Sequence, residues 1–144
     1  MRINLERLFV TYPIAKKLKE LKFHDGVMAY FKEDKRKPGE FGLWPSMDPD
    51  FYVKYQYGEQ NRVSETLISA PTHQQVFDWL RKKHNIVIEV SLYYKEDKNS
   101  WTYDIMEYGT QKSYIGGISE YRISKDYNRA LNKAIKEALK LIKK

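Results

Sequence analysis

Between residues 69 and 108 the apolar positions change period, and that change predicts a helix followed by two strands. Val76, Phe77, Trp79 and Leu80 form one apolar arc while Asp78, Arg81 and Lys82 lie off it, the pattern of a helix laid on a sheet. Thr72 follows Pro71 and precedes Gln75 by three residues, the spacing of a capping box, so the helix is predicted to start there. It ends near His84-Asn85. Over residues 86–94 the spacing becomes twofold, with Ile86, Ile88, Val90 and Leu92 on one face of a strand rich in β-branched and aromatic residues. A polar turn is predicted over 95–100. A return strand over 101–108 sets Trp101, Tyr103, Ile105 and Glu107 against Thr102, Asp104 and Met106, completing a hairpin.

The flanking segments carry weaker patterns. Pro13 suits the first turn of a helix, and Ile14, Leu18 and Leu21 recur at helical spacing, which predicts a helix over 13–21 closed by a turn at His24-Asp25-Gly26. Residues 27–31 read as a strand. The tetrapeptide Lys-Glu-Asp-Lys that follows at 32–35 recurs at 95–98, again after an aromatic strand end; shared turn chemistry explains this more simply than duplication. Pro38-Gly39, Gly42, Trp44-Pro45 and Asp48-Pro49 predict a long loop over 36–50, with Phe41, Leu43, Trp44 and Met47 as a lid on the core. A strand is expected over 51–57, and a turn and short strand lead up to Pro71. Residues 109–117 are turn-rich, 118–123 could add a strand, and Ser124 is the expected cap of a final helix over 125–142. Tyr127, Ala130, Leu131, Ala134, Ile135, Ala138, Leu141 and Ile142 face inward on that helix.

These elements predict an α+β fold in a single domain, 1–144: a mainly antiparallel sheet of four to six strands with two or three helices packed on it. Its parts are a helix–strand unit at 13–35, a Pro-rich loop at 36–50, a helix–hairpin unit at 72–108 and the C-terminal helix at 125–142. A chain of 144 residues is long enough for a core without covalent staples. There is no cysteine, so disulfides, thiolate metal sites and cysteine nucleophiles are excluded, and a reducing cytoplasm is the expected location. The longest apolar runs have only strand length and charges interrupt the first residues, so neither a membrane span nor a signal peptide is expected.

Charge points to a partner. The formal net charge is +7, and from Lys125 onward seven basic residues face only Asp126 and Glu137. On the outer face of the last helix Arg129, Lys133, Lys136, Lys140 and Lys143 follow at steps of three and four, one continuous stripe suited to phosphate. Lys16, Lys17 and Lys19 on the first helix could extend it. Candidate catalytic chemistry is sparse. His73 and His84 lie about three turns apart, too far to share a metal without a third element, and no nucleophile–base set or phosphate-cradling glycine loop occurs. No metal site, cofactor or catalytic residue is therefore assigned. Glu33, Glu96, Asp104 and Glu107 are the acids a metal-dependent nuclease would need to bring together.

The order helix, strand, strand, possible strand, helix from Thr72 onward is similar to that of the double-stranded RNA-binding domain, whose lysine-bearing last helix contacts phosphates across a groove. The loop between the first two strands lacks that family's glycine, proline and histidine contact feature. Ile68-Ser69-Ala70-Pro71-Thr72, with Gln75-Val76, Trp79-Leu80-Arg81 and Lys83-His84-Asn85-Ile86, resembles a recurrent block of small bacteriophage and prophage proteins. Lys19-Glu20-Leu21-Lys22-Phe23 and Glu137-Ala138-Leu139-Lys140-Leu141-Ile142 resemble its flanks; Tyr127-Asn128-Arg129 departs from an acidic helix start. The resemblance implies a phage accessory protein in the host cytoplasm and carries no catalytic residues. The expected function is a non-catalytic binding module for a host or phage macromolecule, its partner a host or phage protein or nucleic acid; the alternatives are nucleic-acid binding through the basic helix and, third, a metal-dependent nuclease.

Overall fold

The computed structural model describes residues 5–45, 66–96, 98–110, 112–117 and 120–142. The fold is α+β, with three helices and two three-stranded antiparallel sheets among the described residues, where one sheet of four to six strands was expected. The chain divides into two compact units, Met1–Thr72 and His73–Lys144.

In the first unit a 3-10 turn, Leu5–Leu8, precedes helix α1, Tyr12–Glu20, which buries Ile14, Ala15 and Leu18. The helix stops before the expected Gly26 turn because Lys22 takes a left-handed conformation (φ 64°). Lys22 N–H then donates to Lys19 O (3.1 Å) and Phe23 N–H to Leu18 O (2.9 Å), a Schellman closure that drops Phe23 into the core. Strand β1, Ala29–Glu33, is the centre of the sheet, paired with β2, Phe41–Pro45, and β3, Ile68–Ser69. β2 corrects the expected Pro-rich loop. The connection is shorter because the acids at its mouth serve the backbone: Gly39 N–H donates to Glu33 Oε1 (2.7 Å) and Arg36 N–H to Asp34 Oδ1 (2.9 Å). Phe41 then stacks on Tyr12 (centroids 4.5 Å), whose edge meets Phe31 (5.5 Å). Leu43 is half-buried and Trp44 exposed, while Met47 and the expected strand at 51–57 lie outside the described residues.

The second unit follows the predicted helix and hairpin closely. Helix α2, His73–His84, buries His73, Val76, Trp79 and Leu80. Asn85, at φ 55°, turns the chain directly into β4, Ile86–Lys95, since asparagine tolerates the left-handed region. β5, Lys98–Glu107, pairs with β4 over its whole length, from Ile86↔Glu107 to Lys95↔Lys98. The ladder therefore reaches Lys98, three residues nearer the tip on the β5 side than expected, and Lys98 stands in a strand where Lys35, its counterpart in the first Lys-Glu-Asp-Lys, lies in a turn. A third strand, β6, Ser113–Ile115, falls where only turns were expected, and a 3-10 turn, Glu120–Arg122, occupies the segment read as a strand. Helix α3, Tyr127–Leu139, lays Ala130, Leu131, Ala134, Ile135, Ala138 and Leu139 on the sheet, its alanines permitting close approach. Its cap is Asp126, which accepts from Asn128 N–H (2.9 Å), and not Ser124. Ser124 instead bridges to Trp101 through both backbone groups.

Candidate nucleic-acid interface

The inward rows of α3 hold the helix against β4 and β5, so its outward residues stand on a rigid support. Arg129, Lys136 and Lys140 are exposed. Arg129 and Lys136 have no ion-pair or hydrogen-bond partner among the described residues. Seven residues of helix separate them by about 10 Å, roughly the rise of three nucleotides along one strand of a duplex.

The rest of the stripe is partly committed. Lys133 lies over the ring of Tyr121 (5.9 Å), and Lys140 donates to Glu137 Oε1 (3.0 Å), which holds its ammonium above the ordinary lysine range. Tyr121, itself highly exposed, also donates to Glu137 Oε1 (3.4 Å). Lys143 lies outside the described residues. In the first unit Lys16 is exposed, Lys17 pairs with Glu20 (3.4 Å) and Lys19 donates to Leu67 O (2.7 Å), tying α1 to the lead-in of β3. Lys19 is thus built into its own unit.

Behind the stripe lies a buried polar cluster that sequence reasoning missed. Arg122 Nη2 donates to Gly116 O (2.8 Å) and to Gly117 O, and the guanidinium sits over the Tyr103 ring (6.0 Å). Tyr103 is fully buried and its hydroxyl has no hydrogen-bond partner among the described residues. Burial first, then the nearby Glu137 carboxylate, pushes its phenol up to about 12. The lysine spacing gave no hint of this arrangement, which depends on where β5 and the 3-10 turn meet.

His73 and His84 are structural. His73 Nε2 lies 3.0 Å from Asn132 Oδ1, joining α2 to α3, and His84 packs edge-on to Trp79 (4.6 Å) with its pKa lowered by burial. The three acids of the second unit weighed for a nuclease, Glu96, Asp104 and Glu107, do not converge. Glu33 belongs to the first unit, where it accepts from Gly39 N–H. Glu96 sits at the hairpin tip and Glu107 at the far end of the same ten-residue ladder, about 30 Å away. Glu107 accepts from the Thr110 hydroxyl (2.8 Å), and Asp104 faces the opposite side of the sheet, directly across from Glu89. No group of three or more His, Cys, Asp or Glu suited to a metal occurs among the described residues. None of the described helices is long and apolar enough to cross a membrane.

No family model, curated protein or solved structure matches the chain.

Proposed function

We propose that the chain is a phage accessory module that binds nucleic acid without acting on it chemically, through the outward face of α3. The observation that carries this reading is the pair Arg129 and Lys136, exposed and in no ion pair among the described residues, on a helix anchored by six buried residues. A cation already paired gains little from a phosphate, whereas an unpaired one releases condensed counterions on contact. Lys125 and Lys140 flank the pair, and Lys133 is pre-ordered against Tyr121.

The order α2, β4, β5, β6, α3 is similar to that of the double-stranded RNA-binding domain, whose last helix contacts phosphates, but order alone carries no function and the reading rests on the cations of α3. With Lys95 paired to Lys98, the connection between β4 and β5 is too short to supply that family's second contact, so a smaller footprint is expected here. The acids at Glu33, Asp34 and Glu107 are engaged in turns, which favours binding over phosphodiester chemistry. Fluorescence anisotropy with labelled duplex RNA, duplex DNA and single-stranded RNA tests the reading. Binding is expected at low salt, with at least a tenfold loss on changing Arg129 and Lys136 together to alanine. No binding to any of the three at low salt, or binding that the double variant leaves unchanged, would end it.

A further inference from the structure

The sheet of the second unit has two unlike edges. β6 offers only three residues and its pairing with β5 shifts register between Ile105 and Met106, so it makes a poor template for another strand. β4 is ten residues long and pairs on one side only, with β5, among the described residues. It contains no proline, its ladder with β5 is regular from end to end, and Glu89 is its only charge before Lys95. Long regular edges of this kind invite pairing, and natural sheets usually blunt them with charges, proline or bulges.

Which residues point outward follows from one hydrogen bond. Asn85 O accepts from Tyr108 N–H (2.7 Å), one step before the Ile86↔Glu107 pair. Odd-numbered residues of β4 therefore direct their N–H and C=O groups at β5, and even-numbered ones direct theirs at the open edge. Even-numbered side chains also share the helix-covered face. Along it exposure rises from buried Ile86 and Ile88 to 57% at Leu92 and 61% at Tyr94. Apolar side chains and outward-facing backbone thus coincide.

We infer that β4 pairs antiparallel with β4 of a second copy of this chain about a twofold axis at Leu92, joining the two sheets into one of six strands. In that register Leu92 meets its counterpart and Val90 lies against Tyr94 of the second copy, so the exposed apolar residues cover one another. Glu89 then faces Lys95 of the second copy, twice by symmetry. A register centred on Val90 would instead set Glu89 against Ser91 and lose both charge pairs. Pairing even with even residues keeps like faces together, so both α3 helices lie on one side of the joined sheet; that consequence for phosphate contact rests on the function proposed above, and the pairing itself does not.

Sedimentation of the full chain is expected to show a reversible monomer–dimer equilibrium. Glu89→Lys and Lys95→Glu should each shift it toward monomer, and the two together should restore it. Since the chain has no cysteine, Leu92→Cys gives a clean test: its Cα atoms would lie about 5.5 Å apart, within disulfide reach. Tyr94→Cys would leave its two copies ~14 Å apart along the strands. Oxidation should therefore crosslink Leu92→Cys and spare Tyr94→Cys. A chain monomeric at all concentrations, a dimer indifferent to both charge reversals, or Leu92→Cys crosslinking no faster than Tyr94→Cys would overturn the inference. None of these outcomes depends on nucleic acid.

Discussion

The two compact units use the same materials, a three-stranded antiparallel sheet and buried helix faces, yet they close over different distances in the chain. In the second unit β4, β5 and β6 are consecutive, and each strand meets the next through a short connection. In the first, β1 sits between β2 and β3, and Phe31 pairs with Ile68 from far along the chain. Consecutive pairing can be read from local alternation because both partners and the turn lie in one window. Pairing across an intervening segment depends on contacts that no window contains.

Changes in each unit separate these cases. The largest effect is expected at Ile105, fully buried on β5: Ile105→Ala should cost about 2–5 kcal/mol in chemical denaturation. Trp44→Ala on β2, where the ring is half in water, should cost no more than ~0.5 kcal/mol. Comparable losses at both positions would mean that β2 is as deeply anchored as β5. Next comes the cap of α3. Asp126→Ala should lose about 1 kcal/mol, while Ser124→Ala, whose hydroxyl is buried without a partner, should change stability by less than ~0.5 kcal/mol. The reverse order would restore Ser124 as the cap.

In the first unit the Schellman closure stands on a lysine where glycine is usual. Lys22→Gly should therefore gain about 0.5–1 kcal/mol, seen as a higher denaturation midpoint. A loss would show that the Lys22 side chain, not its backbone, closes α1. The smallest change at neutral pH is expected for Tyr103→Phe, which removes an unpartnered hydroxyl and keeps the ring. Its signature is alkaline. The folded state favours the neutral phenol, with its pKa raised to about 12, so this contribution to stability is present below pH ~10 and is lost as pH rises through about 12. Tyr103→Phe should flatten the alkaline fall in stability over that interval, and an unchanged fall would place its origin elsewhere.

Much of the second unit was legible because its residues agree at every level. Val76, Trp79 and Leu80 mark one helix face, and the row from Ile86 to Leu92 marks one strand face. β6 was hidden because three residues between Gly109 and Gly116-Gly117 read as turn. β2 was hidden by Pro38, Gly39, Gly42 and Pro45, since proline and glycine suggest a loop until pairing with β1 outweighs them. Ser124 and Asp126 are both good caps two positions apart, and only the bridge from Ser124 to Trp101 decides between them. The lysine stripe on α3 was fully legible as spacing. What spacing could not convey is which cations are already engaged: Lys19 by Leu67 O, Lys133 by Tyr121 and Lys140 by Glu137. The facing of Glu89 and Asp104 was equally hidden, being a matter of register.

The decisive measurement is the salt dependence of duplex binding by the natural chain and by the Arg129→Ala, Lys136→Ala double variant. Each phosphate contact adds about 0.9 to the slope of log K against log salt, so removal of two should flatten that slope by ~1.8 as well as weaken binding. Parallel lines for the two proteins would contradict a phosphate-binding role for α3.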